Sequence, residues 1–331
     1  MLNYNNNVIF FEVFKEEKDA IIKFLPKDIN ATFHQNTIQE TCKLKDVKIE
    51  KNTVISIRTQ SIIPDEWGSK ISAILTRSTG YDHLNSFKNN NYKKILYGYL
   101  PNYCARSVAE HALLMCIALL RKLPKQTDRF DIFERSGLTG SEVMGKNLLI
   151  IGVGKIGIEI YKIAKSIGFN VNGIDLVEKF SAVNYIKNYN DISEYDIIIC
   201  AMNLNKSNYN YFNDDFFNKV KKGSLFINIS RGEIAPICTL YKYLNNEILS
   251  GMALDVFDFE NELAISLRSN KKTENVKLIM KIKKHPNVIL TPHNAFNTHE
   301  AVIRKAKHTI KQIKSLTEEG KFIWEMPEHI K

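Results

Sequence analysis

The chain has 331 residues, of which 44% are hydrophobic and 25% charged, an ordinary globular balance with length enough for two domains. No apolar run reaches the roughly 20 residues that cross a bilayer, the start Met1–Asn7 is polar, and the five cysteines form no C-x-x-C pair, so a reduced, cytoplasmic protein without a secretory signal is expected. The net charge of +10 includes basic stretches at 281–285 and 304–314, but these lack interleaved aromatics or a DNA-binding motif. They are read as a solvated lysine surface whose field attracts anionic ligands. Neither nucleic acid nor membrane is expected as a partner, and no metal site is expected.

In chain order, residues 7–13, 54–58 and 73–77 are apolar, β-branched runs of strand length, and 16–24 and 64–70 have short-helix character. This βα alternation predicts a parallel sheet of its own. Residues 106–120 predict a long helix, apolar almost all round and so buried between domains or subunits. Pro124, Gly137 and Gly140 mark a looser connection. From Asn147 the β-α-β pattern returns, with strands expected at 147–152, 170–175, 195–200, 223–228, 251–255 and 287–291. A last helix is expected over 299–320.

The turn Gly152-Val-Gly154-Lys155-Ile156-Gly157 closes a strand and opens a helix, and Asp175 ends the next strand. That setting turns a common glycine pattern into a dinucleotide fingerprint. Gly152 permits the tight turn, Gly154 lets backbone approach a pyrophosphate, and Gly157 lets helix and strand pack closely. The helix N-terminus faces the phosphates. Asp175 suits ribose hydroxyls and repels a 2′-phosphate, and Leu176 supplies no compensating cation, so NAD is expected rather than NADP.

Three further residues follow strand ends. Arg231 can hold a carboxylate with its planar fork. His293 suits reversible proton transfer. Glu260 can pair with the imidazolium. Singly, each also fits a bland role: a strand-end cation, a satisfied structural histidine, a solvated loop carboxylate like Asp258. As an ordered set they fit reduction of a 2-oxo acid.

Asn228-x-x-Arg-Gly232, Gly251-x-Ala-Leu-Asp-Val256, and Pro286-Asn-Val-x-x-Thr-Pro-His293 followed by Asn294-Ala-Phe296 carry a resemblance. Over nearly its whole length the chain resembles the D-isomer-specific 2-hydroxyacid dehydrogenases, and within them the D-lactate branch. The resemblance implies His293 as acid/base, Glu260 as its partner, and Arg231 as carboxylate and carbonyl binder. It implies Thr79 and Gly80 as amides gripping the carboxylate and Tyr103 as a substrate contact. Lys155 and Ile156 would lie over the pyrophosphate, with Ile229, Ser230, Arg231 and Asp255 near the nicotinamide. The loop Cys200-Ala201-Met202 departs from the usual His-Val-Pro, and Asn208 matches a cofactor-contacting asparagine only with a one-residue insertion, so Ala201, Met202 and Asn208 complete the cofactor set on weaker ground. Pro236 replaces a usual Asp.

The fold so implied is α/β, with two Rossmann-like doubly wound parallel-sheet domains. The substrate domain, 1–101 with 300–331, is flavodoxin-like and completed by the C-terminal helix. The NAD-binding Rossmann domain is 102–299. A cleft that closes by a hinge, and a homodimer using the helix after Arg106, are also implied. The implied activity is NAD-dependent reduction of a small 2-oxo acid, pyruvate favoured, to the D-2-hydroxy acid. A bulkier or phosphorylated substrate is an alternative, although the sequence places no extra cations for a phosphate. A non-catalytic NADH-sensing corepressor is another.

Overall fold

The structure is a computed structural model that describes residues 7–44, 47–90, 95–187 and 189–327; most of the polar start, Met1–Asn6, lies outside them. The chain divides into two compact units, Met1–Cys104 with Asn297–Lys331, and Ala105–Phe296; the sequence places the divisions at 101 and 300.

The first unit contains β1 (Asn7–Phe10), α1 (Lys15–Phe24), β2 (Asn30–Phe33), α2 (Ile38–Leu44), β3 (Thr53–Ile57), β4 (Ile71–Thr76), α3 (Asn85–Asn89) and β5 (Leu96–Gly98). Its five strands are all parallel, in the order β2-β1-β3-β4-β5. This is the doubly wound, flavodoxin-like order, whose direction reverses between β1 and β3. Strands β3 and β4 are buried at every position, which explains their continuous rather than alternating apolar runs. The C-terminal helix His299–Glu319 packs against α1, and Thr298 caps it by accepting from the Ala301 amide at 3.2 Å. The following segment returns to the sheet, where the Met326 amide donates to Tyr97 O at 2.8 Å.

The second unit contains α4 (Ala105–Leu120), α5 (Leu123–Asp128), β6 (Asn147–Ile151), α6 (Lys155–Ser166), β7 (Asn170–Ile174), β8 (Ile197–Cys200), α7 (Asp214–Phe217), β9 (Ser224–Asn228), α8 (Ile237–Asn245), β10 (Leu249–Leu254), α9 (Glu260–Arg268), α10 (Glu274–Lys283) and β11 (Val288–Leu290). Its six strands are parallel, in the order β11-β10-β9-β8-β6-β7. A single parallel bridge, Gly173 to Tyr185, extends the β7 edge. The crevice between β6 and β8, where the winding reverses, is the general ligand position of such sheets. Helix α4 is apolar because it packs against α6 and across β9 and β10.

Several local expectations change. The strand expected over 7–13 stops at Phe10, because Glu12 adopts a left-handed backbone (φ +56°). The helix expected over 64–70 is only a 3-10 turn, Asp65–Trp67, fixed by burial of Trp67. The connection at Pro124 contains α5, in whose first turn a proline is tolerated. Strands β2 and β5 and helices α2 and α3 are not among the expected elements; they are short, and β2 alternates at an edge with little apolar content. Among the described residues no helix is long and apolar enough to cross a membrane.

Candidate active site

The glycine turn has three distinct physical roles. Gly152 has φ +96°, and a Cβ there would lie 2.6 Å from the Ala201 carbonyl carbon and the Met202 nitrogen. A Cβ at Gly157 would lie 2.2 Å from Gly152 O. These two glycines are required by the protein's own packing. A Cβ at Gly154 would meet nothing within 4 Å. Packing leaves Gly154 unexplained, and it stands as N-cap of α6 without a side chain to cap the helix. Open backbone at a helix N-terminus is what a pyrophosphate needs. Lys155 is exposed and Ile156 half-buried at the same helix start.

Asp175 follows β7, and its carboxylate accepts from the Val153 amide at 2.6 Å and the Val177 amide at 3.1 Å. A carboxylate has about four lone-pair sites, so these two bonds aim it at the glycine turn with capacity left for ribose hydroxyls. Opposite, Ala201 donates its amide to Ile151 O at 2.8 Å, which holds the end of β8 beside the end of β6. The Ser230 hydroxyl donates to the Met202 carbonyl. Ile229 and Ser230 are buried just past β9. Asn208 is buried and shapes its own loop, donating to Asn203 O at 2.7 Å and accepting from the Asn205 amide at 2.8 Å. The turn, the acidic side chain and the open helix start together fit a dinucleotide.

His293 and Glu260 come together at the carboxyl edge of this sheet. Nδ1 of His293 lies 2.7 Å from Glu260 Oε1 and 3.0 Å from Oε2. Both side chains keep about a fifth of their surface exposed, at 20% and 18%. Glu260 opens α9, where a negative side chain is favourable, and the left-handed Phe259 before it (φ +53°) turns the chain into that helix. With Nδ1 on the carboxylate, Nε2 is the nitrogen left for proton transfer.

His293 itself has φ +51°, a rare conformation for a non-glycine residue. Such strain persists only when its surroundings over-determine it. Asp255 does so. The His293 amide donates to Asp255 O at 2.8 Å, and the Asp255 carboxylate accepts from Thr291 Oγ1 (2.6 Å), the Asn294 amide (2.8 Å) and the Ala295 amide (2.9 Å). His111 Nε2 lies 3.2 Å from Thr291 Oγ1 and so joins the network. Asp255 is 1% exposed, so its carboxylate is a brace for the histidine turn. Sequence reasoning missed this role and missed Thr291 and His111; the Thr-Pro-His run was the available signal.

Arg231 follows β9 in an extended conformation. Its Nη1 donates to Ser230 O at 2.8 Å, and its carbonyl accepts from Asn228 Nδ2 at 2.9 Å. One of the five guanidinium donors thus fixes the fork's orientation. Nearby Asp258 is a turn residue: burial pushes its carboxyl up, and it accepts from the Ile237 amide at 3.4 Å.

In the first unit, Thr79 Oγ1 donates to Leu100 O at 3.2 Å and lies 3.6 Å from Cys104 Sγ. Gly80 O accepts from the Ser78 hydroxyl at 2.7 Å. Tyr103 is buried, and burial drives its hydroxyl well above the usual tyrosine range. All three follow strand ends of the first sheet, as Arg231, Glu260 and His293 follow strand ends of the second.

A dinucleotide crevice, a paired histidine and a fixed arginine on successive strand ends define a nicotinamide-dependent oxidoreductase. Residues 113–295 match the family model "D-isomer specific 2-hydroxyacid dehydrogenase, NAD binding domain". The chain is similar to a D-lactate dehydrogenase of Staphylococcus epidermidis, 26% identical over 304 residues, covering 89% of this chain and 92% of the relative. It is 30% identical over 223 residues to a D-lactate dehydrogenase of Escherichia coli, covering 66% and 68%. Among solved structures, the D-lactate dehydrogenase of Aquifex aeolicus complexed with NAD and lactic acid superposes with a TM-score of 0.84 at 26% identity, over 97% of this chain and 100% of that one. The chain belongs to the D-isomer-specific 2-hydroxyacid dehydrogenases, NAD-dependent enzymes acting on a CH–OH group.

Proposed function

We propose that this protein reduces a 2-oxo acid to the D-2-hydroxy acid, with His293 as the acid/base; pyruvate, the sequence-based expectation, is the simplest member of that substrate class. The observation that carries the reading is the His293–Glu260 pair at 2.7 Å on a braced left-handed turn. NADH, when bound, supplies the hydride that the carbonyl carbon accepts. His293 delivers the matching proton from Nε2 to the carbonyl oxygen, and Glu260 stabilises the charged imidazole before that transfer. Arg231 orients the substrate carboxylate and polarises the carbonyl, while the Thr79 and Gly80 amides and Tyr103 contribute further substrate contacts. Lys155 and Ile156 join Gly152, Gly154 and Gly157 around the pyrophosphate, Asp175 takes the ribose, and Ala201, Met202, Asn208, Ile229 and Ser230 line the rest of the cofactor.

The test is NADH oxidation followed by absorbance with a panel of 2-oxo acids, and chiral analysis of the product. D-configured product supports the reading; tight NADH binding without turnover of any 2-oxo acid would refute it. We further propose a homodimer. Phe130, Ile132, Phe133 and Met144 are large, apolar and mostly exposed within one stretch of the second unit, which is unusual for a monomer's surface. Light scattering at the monomer mass would remove this proposal.

A further inference from the structure

Helix α4 is apolar along most of its length, yet it turns two polar side chains toward the segment that carries His293. Ser107, His111 and Met115 are spaced four apart and so share one face of the helix. All three meet residues 291–296. The Ser107 hydroxyl donates to Phe296 O at 3.2 Å, His111 Nε2 lies 3.2 Å from Thr291 Oγ1, and Met115 Sδ stands 4.0 Å from the same oxygen. One helix face thus holds both ends of the histidine segment.

Thr291 links that face to the histidine. Its amide donates to Leu254 O at 2.9 Å, which seats it at the sheet end, and its carbonyl accepts from the His293 amide at 3.0 Å. Pro292, with its fixed φ, stiffens the step between them. The Thr291 hydroxyl donates to the Asp255 carboxylate that braces the turn.

Counting hydrogens fixes the direction of these bonds. A hydroxyl carries one hydrogen and two lone pairs. The Asp255 carboxylate is the stronger acceptor, and 2.6 Å is the length of a charge-assisted O–H···O⁻ bond, so the Thr291 hydrogen goes there. His111 Nε2 must then donate to a Thr291 lone pair, which puts a hydrogen on Nε2 whatever charge the ring carries. Donation runs from His111 to Thr291 to Asp255, each bond polarising the next. His111 Nε2 is 3.9 Å from Asp255 Oδ1, too far for a bond of its own, so Thr291 is the intermediary. Without the His111 donor the hydroxyl can swing toward Met115 Sδ, a weak acceptor, and Asp255 Oδ1 keeps the Asn294 amide.

We propose that His111 is a positioning residue for the reaction: its Nε2–H, acting through Thr291, keeps the Asp255 brace in register and so presents His293 correctly. This rests on the active-site reading above and adds to it a residue that acts through others.

The experiment is a double-mutant cycle on the full chain, followed by NADH oxidation with whichever 2-oxo acid the unmodified enzyme turns over fastest. His111→Leu keeps bulk and helix propensity but removes the donor. It should lower kcat about three- to tenfold, the scale of one hydrogen bond, and change NADH affinity by less than about twofold. His111→Gln returns an N–H at similar reach and should recover kcat to within about twofold of the unmodified enzyme. Thr291→Val should lower kcat at least as much as His111→Leu, and adding His111→Leu to it should change kcat by less than about twofold, because the bond through which His111 acts is already gone. A merely structural histidine would give additive losses and no rescue by glutamine. Nitrogen NMR of the unmodified, isotope-labelled enzyme should show the His111 ring with hydrogen on Nε2, which requires no variant to fold. Unchanged kcat in His111→Leu, additive losses in the cycle, or a ring with hydrogen on Nδ1 alone overturns the role of His111 and leaves the dehydrogenase reading intact. Turnover of no 2-oxo acid by the unmodified enzyme overturns both.

Discussion

Asp255→Asn separates two roles for one buried residue. As a cofactor contact, the role the resemblance implies, its loss should weaken NADH binding. As the brace of the histidine turn, its loss should slow chemistry instead. Oδ1 accepts from Thr291 and Asn294, and Oδ2 from Ala295. An asparagine can replace only one of those oxygens. Its NH2 would then face either the Ala295 amide N–H or the Thr291 hydroxyl and the Asn294 amide, donor against donor. Losing a charged, buried acceptor costs about 1.5–3 kcal/mol. Holding His293 at φ +51° costs of order 1–3 kcal/mol, which the brace now offsets. Releasing about 1.4–2.8 kcal/mol of that support lowers the population of correctly presented His293 about 10- to 100-fold, at 1.36 kcal/mol per factor of ten. Steady-state turnover should fall by that factor. NADH affinity, measured by fluorescence titration, should change by less than about threefold, while thermal unfolding reports the separate cost to stability. Unchanged kcat, or a loss of NADH affinity as large as the loss in kcat, would refute the bracing argument.

His293→Gln should lower kcat by about two to four powers of ten with NADH affinity retained; near-normal turnover would remove it as the acid/base. Gly154→Ala should leave the melting temperature nearly unchanged but weaken NADH binding at least about tenfold, because nothing in the protein fills the space above it. Gly157→Ala should instead destabilise the fold, since its Cβ would press on Gly152 O at 2.2 Å; equal melting temperatures for the two variants would contradict this division. Burial pushes the Glu17 carboxyl up, but Arg77 and Lys305 outweigh it and hold it at about 2, so its contribution to stability is present above pH 4.5 and is lost as the pH falls toward 2. Lys305 runs the other way: between about pH 7 and 10.5 the unfolded chain binds a proton that the folded chain does not, so this residue makes stability rise with pH. Lys305→Met should therefore raise the melting temperature below pH 7 and flatten that rise, with Glu17 still paired to Arg77; a fall at pH 6 would contradict it.

The fold was legible where burial is continuous. β3, β4, β6, β8 and β9 are buried at nearly every position, and their apolar runs stand out in the sequence. The strands that escaped notice have a different environment. β2 is an edge strand of four residues, Asn-Ala-Thr-Phe, whose pairing depends on β1 rather than on its own composition. β5 is three residues long and ends in glycine. The ends of elements were blurred for a related reason. Nothing local announces that Glu12 turns left-handed, because that conformation is over-determined by amides 46 to 49 residues away that bind its carboxylate.

The same distinction governs the site. Arg231, Glu260 and His293 were visible because each sits just past an apolar run, where parallel sheets present their functional side chains. What makes them a device is not visible, because it lies in long-range bonds. The carboxylate that steadies His293 comes from 33 residues upstream, and the one that braces its turn from 38. Arg77 and Lys305 meet on Glu17 although 228 positions separate them in the chain. A sequence pattern can name groups able to carry charge, but it cannot count how many of them converge. The buried charge cluster of the first unit illustrates this. No run of basic residues encodes it; Arg77 follows a strand end and Lys305 comes from the C-terminal helix. They become neighbours because that helix packs on α1, the helix that carries Glu17. Which charges stand together is therefore a property of tertiary packing, while the residues proposed for the reaction sit in three short motifs.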